Sequence, residues 1–226
     1  MDPALESTLV TLRDAVRWAA SRFAAAGLAF GHGTDNALDE AYALVSHVVA
    51  LAPGVPEPYL DARLHPDERR RIVELAERRI ASRKPLPYLT GEAWFAGLSF
   101  EVDERVLVPR SPIAELIERR FEPWAPASVS RILDIGTGCG CIAVACALAF
   151  PEARVDAVDV DEGALALARR NAERHGVADR VRLLRSDLFE ALAGERYDIV
   201  VSNPPYVPEG ELETLPPEYR HEPARA

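Results

Sequence analysis

From residue 112 onward, short apolar runs alternate with stretches of helical spacing, and that alternation constrains the fold more than any other feature. Ile113 to Phe121 has helical spacing, Arg131-Ile132-Leu133-Asp134-Ile135 is a short apolar strand, and Cys141 to Phe150 returns to helix. Val155 to Val158, Val181 to Leu184 and Tyr197 to Val201 are further strand-length runs, with a helical stretch from Gly163 to His175 between the first two. Strands separated by helices cross over right-handedly and pair in parallel. The expected fold class is therefore α/β, with a Rossmann-like parallel sheet whose ligands bind beyond the carboxyl ends of the strands. The residues immediately after each strand are where chemistry is to be sought.

The first 84 residues carry no strand pattern. Leu5, Leu9, Leu12, Val16, Ala19 and Phe23 draw one apolar stripe at helical spacing, and Gly27 is placed to end that helix. Leu38, Ala41, Val45, Val48 and Val49 draw a second stripe before Pro53. A third begins after Pro66 with Ile72, Leu75, Ala76 and Ile80, and is broken by Pro85 and Pro87. Ala93, Phe95, Leu98, Phe100 and Val102 around Gly97 predict a β-hairpin, followed by the extended connector Val106-Leu107-Val108-Pro109-Arg110. The division expected is a helical domain over 1–84, a hairpin linker over 85–110 and a sheet domain over 111–226.

The formal net charge of -10 has the wrong sign for gripping a nucleic-acid duplex through its phosphates. It suits encounter with a basic protein. Arg69-Arg70-Arg71 and Arg78-Arg79 alternate with Glu68, Glu74 and Glu77, which predicts a solvated helix face. No run of eighteen apolar residues and no basic leader before an apolar stretch is present, so neither a membrane span nor a secretory signal is expected. Cys139, Cys141 and Cys146 cluster without a further cysteine or nearby histidine. That argues against a disulfide framework or a zinc site, and the setting expected is cytoplasmic.

The first strand runs into Asp134-Ile135-Gly136-Thr137-Gly138-Cys139-Gly140. A glycine cluster alone is also what any tight strand-to-helix turn requires. The dinucleotide fingerprint needs a glycine where Cys141 stands, and a P-loop needs a lysine that is absent. No basic residue in the loop can meet a phosphate, which fits a cofactor made of an amino acid, a sulfonium and an adenosine. Asp159 ends the second strand, where a carboxylate can accept both hydroxyls of a ribose. Asp187 and Leu188 follow the third strand, where the acid can accept from an adenine amino group and the leucine can pack on the ring. Gly136, Thr137, Gly138, Cys139 and Gly140, with Asp134, Asp159, Asp187, Leu188 and Asn203, are the candidate cofactor residues.

After the fourth strand comes Ser202-Asn203-Pro204-Pro205-Tyr206. Asn-Pro and Pro-Pro both mark turns, but a turn alone does not need this order at a ligand-binding strand end. An amide nitrogen is a poor nucleophile because its lone pair is delocalised into the carbonyl. Asn203 Oδ1 can accept one amide N–H and the Pro204 carbonyl, its φ fixed by the ring, the other. Tyr206 can pack on the planar group and offer its face to a sulfonium. Asn203, Pro204, Pro205 and Tyr206 are the candidate catalytic residues, and positioning in a dry site would supply most of the catalysis.

At these residues the chain resembles the class I S-adenosylmethionine-dependent methyltransferases that act on planar nitrogens. The helical N-terminal domain, the hairpin and the Val-Pro-Arg connector are similar to the protein-(glutamine-N5) methyltransferases. Val106-Leu107-Val108-Pro109-Arg110-Ser111-Pro112-Ile113-Ala114-Glu115-Leu116 and Glu218-Tyr219-Arg220-His221-Glu222-Pro223 are closest to the branch acting on large-subunit ribosomal protein L-three. The branch acting on peptide chain release factors comes second. The resemblance implies S-adenosylmethionine as cofactor and, as partner, a protein of the translation machinery, a ribosomal protein met free or during ribosome assembly. A nucleic-acid amino-methyltransferase and a non-catalytic ribosome-binding module remain the alternatives. Such domains have seven strands and four are legible before Ala226, so a chain truncated after strand four, inactive by itself, is expected.

Overall fold

A computed structural model describes residues 8–52, 55–204, 210 and 214–223. The chain divides into two units, Met1–Thr90 with Thr214–His221 and Gly91–Glu213 with Glu222–Ala226.

The first unit is helical: α1 (Leu12–Ala25), α2 (Ala37–Val48), α3 (Pro66–Ser82) and the single-turn α4 (Leu86–Thr90). Local chemistry sets each boundary. Thr11 Oγ1 accepts from Asp14 N at 3.2 Å while the Asp14 carboxylate accepts from Thr11 N at 2.9 Å, a capping box that starts α1 at Leu12. The stripe expected from Leu5 is cut there: Leu9 is buried ahead of the cap and Leu5 lies outside the described residues. Asn36 caps α2 through Leu38 N and Asp39 N. Leu38 sits in the first turn, 57% exposed, and Leu44 takes its place in the core. Pro66 opens α3, and Arg83 in the left-handed conformation ends it. Pro87 does not prevent helix in 86–90, because a first turn has no use for its missing N–H.

Phe23, Leu44 and Ile72 are fully buried at the centre of this unit. Arg79 joins them, which corrects the expectation of a solvated arginine face at that position. Its Nε donates to Glu40 Oε1 at 2.7 Å and its Nη2 to the Ala29 carbonyl at 3.0 Å. Glu218 Oε1 accepts from Ala29 N at 3.0 Å and lies 2.9 Å from Arg83 Nε. Burial pushes the Glu40 carboxyl above its ordinary value, and the Arg79 guanidinium opposes that push.

The second unit opens with a hairpin, β1 (Glu92–Phe95) and β2 (Leu98–Glu101), paired antiparallel. Its two-residue turn places Ala96 and Gly97 at φ 48° and 72°, the sense that matches the twist of the strands. The helix expected to Phe121 is α5 (Ile113–Glu118), ended by positive φ at Arg120 and Phe121. Then come β3 (Arg131–Ile135), α6 (Cys141–Ala149), β4 (Arg154–Asp159), α7 (Glu162–Arg174), β5 (Val181–Arg185) and β6 (Ile199–Ser202). The four strands from β3 onward form one parallel sheet in the order β5-β4-β3-β6, the α/β arrangement expected. The last strand starts at Ile199, after Tyr197, because its approach is tied down: the Asp198 carboxylate accepts from Ser130 N and Arg131 N, and Tyr197 OH donates to Asp156. Among the described residues, no helix is long and apolar enough to cross a membrane.

Candidate functional site

The carboxyl ends of β3, β4, β5 and β6 open on one cavity of about 570 Å³. Its floor is formed by Gly136 to Cys139, in the loop between β3 and α6. Gly136, Gly138 and Gly140 all have left-handed φ, 71°, 55° and 81°, a run that side-chain-bearing residues adopt only with strain. Gly140 is required twice over, since a Cβ there would stand 2.9 Å from Ala168 Cβ on α7.

The loop is held from several sides. Gly136 N and Thr137 N donate to the Val158 carbonyl, Gly140 N donates to the Thr137 carbonyl, and Gly138 N donates to Asp159 Oδ2 at 2.9 Å. Buried Asn171 on α7 donates to the carbonyls of Cys139 and Glu101 and accepts from Glu101 N. One amide side chain thereby ties the loop to the hairpin.

Asp134 sits beneath the loop and away from the cavity lining. It is fully buried, it accepts from Thr137 Oγ1 at 2.6 Å, and burial pushes its carboxyl up to about 7. Thr137 itself reaches the cavity, as do Gly136, Gly138, Cys139, Asp159, Asp187, Leu188, Asn203 and Pro204. Gly140 serves the packing behind the loop and does not line the cavity. The loop cysteines are free, and the contact with Cys139 together with burial raises the Cys141 thiol well above its ordinary value.

Beyond β5, Ser186 Oγ accepts from Ala191 N and donates to the Leu188 carbonyl, which presents Leu188 at the cavity, 59% exposed. Beyond β6, Ser202 Oγ donates to the Ile135 carbonyl at 2.8 Å, which fixes the strand end from which Asn203 and Pro204 emerge. Pro205 and Tyr206 lie outside the described residues.

One wall was not singled out as a site in the sequence. Arg105, the connector Val106 to Arg110, Ser111 and Pro223 also line the cavity. The connector read there as an extended link and as a carrier of the family resemblance, not as a site. Val106-Leu107-Val108 is uniformly apolar in sequence, so no alternation marked it as a wall; the burial of Val106 and Val108 is visible only in the structure.

The arrangement offers carboxylates for hydroxyl and amino donors, an apolar surface at Leu188, and an amide oxygen beside a proline carbonyl for a planar N–H₂ group. The family model described as "Methyltransferase small domain" matches residues 120–215. The ribosomal protein uL3 glutamine methyltransferase of Bordetella pertussis is 54% identical over 220 residues, 96% of this chain and 74% of that protein. Those of Xanthomonas campestris pv. campestris and Xylella fastidiosa are 53% and 51% identical, each over 99% of this chain and 72% of the relative.

Proposed function

Since this chain belongs to the ribosomal protein uL3 glutamine methyltransferase family, we propose that it methylates the side-chain amide nitrogen of a glutamine in ribosomal protein uL3. The observation that carries this reading is that Asp159, the glycine loop and Asn203-Pro204 all face one cavity at the strand ends. The methyl donor is S-adenosylmethionine: the amide nitrogen bonds the methyl carbon, the C–S electron pair stays on sulfur as S-adenosylhomocysteine leaves, and the nitrogen's displaced proton passes to solvent.

The residues suit that donor. Asp159 takes the ribose hydroxyls, Asp187 the adenine amino group, and Leu188 the face of the adenine ring. Asn203 Oδ1 and the Pro204 carbonyl accept the two amide N–H bonds, which turns the nitrogen toward the methyl group. No side chain with a titration near neutrality is asked to remove a proton before attack; the chain's contribution is orientation and exclusion of water.

The helical unit is the proposed recognition surface for the protein substrate, in the cytoplasm, with uL3 either free or in an assembling particle. A net charge of -10 favours a basic protein over a nucleic acid. The test is incubation with isotopically labelled donor and, separately, purified uL3, a peptide chain release factor and ribosomal RNA. Label on a glutamine of uL3, lowered about 10²–10³-fold by Asn203→Ala, supports the reading. Label released by nuclease, or transfer to the release factor alone, overturns it.

A further inference from the structure

Charge is unevenly placed in the helical unit. No lysine or arginine stands between Arg22 and Arg63, although 26 of the chain's 226 residues are of those two types. The same stretch carries Asp35, Asp39, Glu40, Glu57 and Asp61. Glu40 is buried against Arg79, but the other four acids are exposed. Asp61 is met by Arg13 at 2.9 Å, with both side chains open to solvent, and a pair of that kind holds weakly. Asp39 accepts from the Asn36 side chain at 2.7 Å, which leaves its charge uncancelled.

Among the described residues, the exposed large apolar side chains of this unit are Leu38, at 57%, and Tyr59, at 51%. Both fall inside the stretch without lysine or arginine. Tyr42 stands one turn beyond Leu38 on α2, and residues four apart share a helix face. Tyr42 Oη donates to the Val55 carbonyl at 2.7 Å. That bond holds the chain against α2 just before it enters the 3₁₀ helix Glu57–Asp61, which carries Tyr59. Asp35 and Asp39 flank Leu38 in sequence, and Glu57 and Asp61 flank Tyr59. One exposed apolar residue is ordinary on any surface. A leucine and an aromatic ring on one acidic face fit a basic partner that brings an apolar anchor.

We infer that this face docks a basic segment of the protein substrate. Leu38 and Tyr59 supply the contact area, and Asp35, Asp39, Glu57 and Asp61 draw its lysines and arginines. The inference rests on the reading that the substrate is uL3, and it names the surface that recognises it. A protein that packs on ribosomal RNA meets the phosphates with lysine and arginine, which gives it the complementary charge. The RNA itself is repelled by the same carboxylates. None of these residues lines the cofactor cavity, so substrate docking and cofactor binding can be varied separately.

The experiment measures binding of purified uL3 by calorimetry over a range of salt concentrations, with S-adenosylhomocysteine as the control ligand. Tyr59→Ala is expected to weaken uL3 about tenfold, the size of a lost aromatic anchor. Asp35→Asn with Glu57→Gln is expected to weaken it about three- to tenfold at low salt and to flatten the salt dependence. That double change keeps the side-chain shapes, so it reports on the face even where Tyr59→Ala loosens the 3₁₀ helix. Glu74→Gln with Glu173→Gln removes the same charge from exposed positions elsewhere and should leave uL3 affinity within about twofold. S-adenosylhomocysteine should bind every variant within about twofold of the parent chain, as expected of residues outside its cavity. Equal weakening by the two neutralised pairs assigns the effect to net charge and overturns the inference. Weakening by Tyr59→Ala alone, with the salt dependence unchanged, overturns the basic character of the partner. Unchanged uL3 affinity in all variants overturns the docking face and leaves the reading of uL3 as substrate standing. A parent chain that does not bind uL3 overturns the inference, and label on a glutamine of uL3 then decides the reading by itself.

Discussion

Gly138 N donates to Asp159 Oδ2 across 2.9 Å, so the residue that ends β4 also holds the loop that follows β3. Asp159 Oδ1 meanwhile accepts from Asp161 N at 3.0 Å. The carboxylate is therefore fixed in direction before any ligand arrives, and the preorganisation costs nothing at the moment of binding.

Replacing Asp159 should act through both roles. Asp159→Ala is expected to weaken S-adenosylhomocysteine by roughly 1–3 kcal/mol, the range for leaving hydrogen-bonding groups unmatched. Asp159→Asn can still accept from Gly138 N and should lose less. Calorimetry that gives all three proteins the same affinity would remove Asp159 from the ribose site.

Gly140 is a packing residue. Gly140→Ala must hold alanine at φ 81° and push its Cβ to 2.9 Å from Ala168 Cβ. The left-handed backbone costs about 1 kcal/mol and the overpacking about 1–3 kcal/mol. Adding Ala168→Gly removes the 2.9 Å contact but leaves the residue-168 Cα at 3.2 Å and the backbone strain, so the double variant should regain part of the lost stability despite a glycine inside α7. Urea midpoints of the two variants decide it: no recovery on adding Ala168→Gly would mean that the clash is relieved some other way.

The sheet was legible because its strands are apolar runs separated by helical spacing, a signal contained within each segment. Gly136 to Gly140 and Asn203-Pro204 were legible because backbone freedom and rigidity belong to residue types. What escaped depends on partners far apart in sequence. Arg79 looked like one more arginine on a charged helix until Glu40 met it, 39 residues away. The Arg110 connector has no periodicity of its own, and its place in the cavity wall is set by Glu222, 112 residues on. Helix ends at Leu12 and Glu118 were missed for a third reason, since Thr11 and the positive φ values at Arg120 and Phe121 outrank an apolar stripe.

The Arg79–Glu40 pair gives a test of the helical unit. Arg79→Ala leaves a carboxyl buried that burial already pushes up, so Glu40 should take a proton, and the loss should be about 3–5 kcal/mol. The double change Arg79→Met with Glu40→Met removes that pair but leaves buried Glu218, 3.7 Å from Arg79 Nη1, to Arg83, so it should restore only part of the loss. Hydrogen exchange over 12–82 is the readout. A single variant with full protection would show that the pair contributes little.

Asp134 gives a pH dependence with a definite sign. Burial raises its carboxyl from 3.8 to about 7 in the folded protein, against the opposing hydrogen bond from Thr137. Between those values the folded chain keeps a proton that the unfolded chain has released. Stability from this group is therefore complete below about pH 4 and is lost as pH rises through about 7. A shift of that size corresponds to roughly 4 kcal/mol across the window. Asp134→Asn cannot ionise, yet its oxygen can still accept from Thr137 Oγ1, so the loop geometry is kept. The parent chain should lose urea resistance from pH 5 to pH 8 faster than Asp134→Asn does. Contributions common to both proteins cancel in the difference. Parallel slopes for the two proteins would mean that Asp134 is ionised throughout, stabilised by groups other than Thr137.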